Sequence, residues 1–287
     1  MARLTKLDKA FLELEKELEM MTRVGENEIV FNNVQALRES NKVLDEFYRK
    51  YANKDGQIEL HEFRKFKRST KLKRRLTEAL YVATREDSKV TRQMLTDVFK
   101  RSYKGTQSLM ISEFEKKEKK KVVGIKKTFS HVRSVDKKIE GLNWADRMDR
   151  DRKDVVKIIN KQVVKGVEEG KLYHQVAEEL ADALDVNMNS ALRIARTESH
   201  RVISDAKEES LLELHKAGVE ANKKWISAKD ERVRSTHRGL DGQVVGANED
   251  FQSPSGASGP SPGNLGDPAE DINCRCVMVL TFEEKTM

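Results

Sequence analysis

At 287 residues the chain has room for one large domain or two. Its composition, 36% charged and only 6% aromatic, favours long solvated helices over one thick globular core. No run of about 18 apolar residues occurs, which argues against a membrane-spanning helix or a membrane partner. Two cysteines are too few for a secreted disulfide framework and fit a reducing compartment, and a net charge of +7 permits nucleic acid or an acidic protein as partner.

All four prolines fall between Pro254 and Pro268, and eight of fifteen glycines lie at or after Gly218. The first 217 residues therefore read as mostly helical, and the remainder as turns, strands and loops. Leu7, Phe11, Leu14 and Leu18 mark a first helical stripe, and Val34, Leu37, Val43, Leu44 and Phe47 a second helix. Residues 53–62 have the outline of a calcium loop, but Tyr51 stands where its first oxygen ligand is needed, so a helix–turn–helix connection is the better reading. Two more helices are expected over 72–82 and 90–99. Arg64, Lys65, Lys67, Arg68, Lys71, Lys73, Arg74 and Arg75 form the densest basic stretch. It is either a solvated face or a surface for phosphates or an acidic protein. Lys116, Lys117, Lys119, Lys120 and Lys121, with Lys126 and Lys127, form a second such stretch, tempered by Glu113, Glu115 and Glu118.

Val155, Ile159, Val163 and Val167 give one buried helical face, with Gly166 inside it and Gly170 as C-cap. Val176, Leu180 and Leu184 give the next, and a long helix over about 190–216 ends at Gly218. Beyond it, residues 224–227 and 274–282 read as strands, and Asp241-Gly242 as a hairpin turn. Residues 253–268 read as a flexible or irregular loop. The fold class is mainly α: an elongated helical N-terminal part with a small α+β C-terminal domain. The expected divisions are a basic helical arm over 1–135, a helical part over 136–218 and a small module over 219–287.

Cys274 and Cys276 are the only cysteines. On a strand, residues two apart share a face, so both thiols would project together with Arg275 opposite. With His237 they make most of a zinc site, and Asp241, Asp230, His200 or a water could complete it. A small module of about 65 residues with few aromatics needs such a staple. The bland alternative is two reduced buried thiols and a histidine held by hydrogen bonds. Trp225 reads as core. Glu198 could bond Arg201 or Arg234, and Arg196 could pin the loop after Trp225, clamping helix to sheet. No phosphate-binding glycine loop or nucleophile elbow occurs.

Ala195-Arg196-Thr197-Glu198, Lys224-Trp225, Asp230, Arg234, His237, Leu240-Asp241-Gly242-Gln243 and Asn273-Cys274-Arg275-Cys276, in that order, resemble the phage Mu F-like minor head proteins, or phage head morphogenesis proteins. The resemblance covers about residues 140–282; the first 130 residues lie outside it. It implies a non-enzymatic, low-copy protein of the phage head interior, present in the host bacterial cytoplasm during assembly. The implied partners are the portal protein, a capsid or scaffold protein and double-stranded DNA, with a part in head morphogenesis, DNA packaging or ejection. It also raises the clamp reading of Arg196, Glu198, Trp225, Asp230 and Arg234, and makes the basic stretch a portal or DNA contact. Two rivals stand beside it. One is a metal-dependent hydrolase or nuclease built on His237, Asp241, Cys274 and Cys276; the other is a non-specific DNA-binding protein.

Overall fold

A computed structural model of the chain describes residues 4–125, 130–139 and 141–286; Lys126 and Lys127 of the second basic stretch lie outside them. As expected, the chain is mainly helical, with long N-terminal helices and a small C-terminal region holding a few antiparallel strands. The helices are α1 (Lys6–Tyr51), α2 (Leu60–Arg64), α3 (Arg68–Glu118), α4 (Val132–Val135), α5 (Trp144–Glu168), α6 (Tyr173–Lys216), α7 (Ser235–Leu240) and α8 (Pro268–Asp271). The strands are β1 (Asn222–Ile226), β2 (Val244–Val245), β3 (Phe251–Gln252), β4 (Ser258–Gly259) and β5 (Val277–Thr281).

The first two apolar stripes lie on one helix, α1, and the next two on α3. No proline interrupts either sequence, and the intervening residues are mostly good helix formers, so nothing stops propagation between the stripes. The same holds for α6, which joins the stripe of Val176, Leu180 and Leu184 to the long helix after it.

The chain divides into two compact units. One comprises Gly25–Thr91 and Lys138–Ile194. Leu44, Phe47, Phe63, Leu72 and Leu76 pack there with Ile159, Val163, Val176 and Leu180. Gly166 lies inside α5 because α6 comes so close: a Cβ on it would sit 2.8 Å from Val176 Cγ2. The calcium-like segment is a turn in which Asn53 Oδ1 accepts from the backbone N–H groups of Asp55 and Gln57, each at 3.0 Å.

The other unit comprises Met1–Val24, Arg92–Lys137 and Ala195–Met287. Its sheet has the order β2-β1-β5, antiparallel throughout, with Trp225 opposite Met278. Phe11, Met110, Leu211 and Leu214 pack against Ile226, Val279 and Leu280. Buried charges cross the same core in pairs, as burial demands. Lys207 Nζ donates to Glu15 Oε2 (2.6 Å) and to the Met278 carbonyl (3.0 Å). Lys224 Nζ donates to Asp8 Oδ2 (3.0 Å) and Glu283 Oε1 (2.8 Å).

One local expectation changes. Leu240 ends α7, so Asp241-Gly242 turns a helix into β2 instead of closing a hairpin; Gly242 N–H donates to the Trp225 carbonyl at 2.8 Å. The loop over 253–268 is irregular, as expected, and makes defined contacts. It forms the β3–β4 pair and buries Ser261, Pro262, Gly263 and Leu265. Ser204 Oγ of α6 donates to the Pro262 carbonyl (3.0 Å), and Asn264 Nδ2 donates to Asp205 Oδ1 (3.0 Å). Ser204 on α6 thus gives the buried Pro262 carbonyl the partner it needs.

Candidate metal centre

His237 sits in α7, 2% exposed, with Trp225 edge-on at 5.4 Å between ring centroids. Trp225 is itself fully buried against Phe251, Leu240, Leu265 and Met278, as a core role requires. His237 Nδ1 lies 3.4 Å from Cys276 Sγ and 3.6 Å from Cys274 Sγ. All three donor atoms fall within 4.8 Å of one another. A tetrahedral zinc with ordinary bond lengths would hold nitrogen and sulfur about 3.5 Å apart. One imidazole lone pair can accept from only one thiol, whereas a cation satisfies all three donors. The spacing and the N,S,S donor set therefore fit a soft divalent metal.

The thiols converge as residues two apart on an extended segment do: Cys274 and Cys276 are buried and Arg275 between them is exposed. Cys274 and Cys276 precede β5, which begins at Val277. Asn273 adopts a left-handed φ of 57°, and Cys274 N–H donates to the Asp271 carbonyl at 3.2 Å. This turn leads into the segment in which both cysteines are buried while Arg275 points out to pair with Asp230. The sulfurs share charge unequally. Cys276 is pulled down to about 4 by the hydrogen bond from Cys274, against burial, with help from His237 and the Ala228 backbone. Cys274 is pushed well above an ordinary thiol by the same pairing and by burial.

Of the proposed fourth ligands, none joins this group among the described residues. Asp241 is engaged by Ser227 N–H (3.0 Å) and Lys229. Asp230 is held by Arg275, and the His200 ring lies against Gly263. The residue that sequence reasoning missed is Glu270. Its Oε2 lies 2.7 Å from His237 Nε2, an ion-pair distance without hydrogen-bond alignment, and accepts from Thr236 Oγ1 at 3.0 Å. Burial pushes the Glu270 carboxyl up, but hydrogen bonds from Ser255 and Thr236 and the attraction of His237 outweigh it and hold the group below its usual value. The available signal was Asp267-Pro268, a helix start that puts Glu270 on a short helix just before the cysteines; Asp267 Oδ1 caps it by accepting from Ala269 N–H at 2.8 Å.

The residues read as one clamp fall into two sets. Glu198, fully buried in α6, pairs with Arg201 (2.8 Å); Arg201 also reaches Asp205 (2.7 Å) and the Ser134 carbonyl (2.8 Å). Arg196 is exposed on the same helix. Arg234 instead donates to the Ile272 carbonyl at 2.6 Å, and Asp230 holds Arg275, so these two brace the segment that carries the cysteines.

In the basic stretch, Arg68 is partly buried, stacks on the Tyr51 ring at 4.1 Å and, with Lys65, pairs with Glu62. Arg64 faces Glu168, Arg74 faces Glu78 and Arg75 faces Glu46. Lys67, Lys71 and Lys73 are exposed.

Residues 157–279 match the family described as Phage Mu protein F like protein. The minor head protein GP7 of Bacillus phage SPP1 is 31% identical over 151 residues, covering 53% of this chain and 49% of that protein. The NAD(+)–arginine ADP-ribosyltransferase EFV of Enterococcus faecalis is 31% identical over 145 residues, covering 50% of this chain and 30% of that protein. The chain thus spans less than half the length of either of these curated relatives. No solved structure matches. Residues 157–279, the stretch that holds His237, Glu270, both cysteines and both braces, are the part of the chain that is similar to the Mu F-like family.

Proposed function

We propose that this is a minor head protein of a tailed phage that acts in head (procapsid) morphogenesis by docking and charge neutralisation, without making or breaking bonds. The observation that carries this reading is the family match over 157–279, which contains the whole metal centre. The two relatives are named for unrelated functions, a head protein and a transferase, yet each is 31% identical to this chain. Likeness to two proteins so differently named is better read as a mounting module than as transferase or hydrolase machinery.

In this reading His237, Cys274 and Cys276 hold a structural zinc that closes the module. The protein associates with the portal, inside the head and beforehand in the host cytoplasm. The stretch from Arg64 to Arg75 contacts the portal, a capsid or scaffold protein, or double-stranded DNA, and its exposed Lys67, Lys71 and Lys73 support that role. The test is co-expression with the portal protein of the same phage. Co-purification at low salt and incorporation into heads are expected; failure of both removes the assembly role. Nuclease activity abolished by a chelator would favour the hydrolase instead.

A further inference from the structure

We propose that Glu270 is the carboxylate that orients His237 for metal binding, and that it thereby ties metal loading to the order of the loop leading to the cysteines. This rests on the zinc reading above. Nδ1 of His237 faces both sulfurs, so it is the nitrogen whose lone pair a metal would take, which leaves the ring proton on Nε2. Nε2 is the atom that faces Glu270 Oε2, at 2.7 Å. Metal-bound histidines commonly hold the other ring nitrogen against a carboxylate, which fixes tautomer and ring plane.

The surroundings of Glu270 support the same role. It is 4% exposed, and its neighbours are the hydroxyls of Thr236 and Ser255 and the imidazole. No Lys or Arg partner is found for it among the described residues. A buried carboxylate without a cation is costly, and a metal–imidazole unit supplies the missing positive charge. Glu270 is also mechanically fixed to the loop. Asp267 caps α8, and the Asp271 carboxylate accepts from the backbone N–H groups of Leu265 (2.8 Å) and Gly266 (2.9 Å). Anything that draws Glu270 to His237 therefore draws the segment from Ser253 to Asp271 with it.

The experiment uses the full chain, purified free of metal. Zinc affinity is measured by competition with a chromophoric chelator, cobalt(II) spectra report the ligand set, and limited proteolysis reports the loop. The wild type should take up one metal, show thiolate–cobalt absorption and become protected within 253–271. Glu270→Gln should keep the cobalt–thiolate bands, bind zinc about 10–100-fold more weakly and show less protection at equal zinc. Its metal-free form should melt with the metal-free wild type. Thr236→Val, which removes one bond to Glu270, should weaken zinc by a smaller factor in a folded protein. Unchanged zinc affinity in Glu270→Gln, or a lower melting point already without metal, overturns the assignment while leaving the zinc reading intact. A wild type that takes up neither zinc nor cobalt overturns both.

Discussion

Lys207 of α6 and Glu15 of α1, 192 positions apart, form a buried ion pair at 2.6 Å. Both side chains are almost wholly withdrawn from water, so neither charge can lose its partner without desolvation left unbalanced. Glu15→Gln or Lys207→Met alone should destabilise the fold by about 3–5 kcal/mol. The double variant should recover part of that loss, less the cost of the Met278 carbonyl that Lys207 also serves. Urea denaturation of the four proteins measures the coupling. Additive losses would mean that the pair does not act as a pair.

Gly259 has no room for a side chain, since a Cβ would lie 1.9 Å from the Asn264 carbonyl oxygen. The obstruction is backbone and cannot swing aside. Gly259→Ala should therefore destabilise by about 1–3 kcal/mol and expose 253–268 to proteases. A variant as stable and as resistant as the wild type would show that the loop is not seated as described.

Asp87 and Glu208 make stability depend on pH near neutrality. Burial pushes Asp87 up from 3.8 to about 7, against hydrogen bonds from Asn32 and Asn33. Burial likewise pushes Glu208 up from 4.5 to about 7, against the attraction of Lys223. Both folded values lie above the unfolded ones, so their contribution is fully present below the unfolded values and is lost as pH rises through about 7. The melting temperature should fall between about pH 5 and pH 8, and Asp87→Asn should flatten the decline. A melting temperature that climbs across this window contradicts the burial of both groups.

Metal removal gives a separate readout. A chelator should lower the melting temperature of the wild type, because a ligand that binds only the folded chain stabilises it by mass action. Cys276→Ser lacks one of the two sulfurs, so the chelator should leave its lower melting point where it is. An equal chelator response in both proteins would place any bound metal elsewhere.

If the basic stretch contacts DNA, Lys67, Lys71 and Lys73 act through phosphates. Replacing all three by Gln should weaken binding to any duplex sequence and shrink the slope of log affinity against log salt by about 0.9 for each phosphate left unneutralised. Unchanged DNA binding together with failure to bind the portal would assign the stretch to protein instead.

Much of this organisation is legible locally. Apolar residues at helical spacing marked the faces that α1, α3, α5 and α6 bury, because helix geometry depends only on near neighbours in sequence. The order of motifs from Ala195 to Cys276 carried the family, and the rarity of cysteine singled out the thiol pair. The pairings that span the chain were not legible. Glu15 meets Lys207, Asp8 meets Lys224 and Glu270 meets His237 only after distant segments pack, and a charged residue reads the same in sequence whether it will be solvated or buried. The approach of His237 to Cys274 and Cys276 likewise came from packing α7 against the segment before β5. Local pattern decides which faces turn inward; which buried charge finds which partner is decided by desolvation, a term that exists only once the tertiary structure has excluded water.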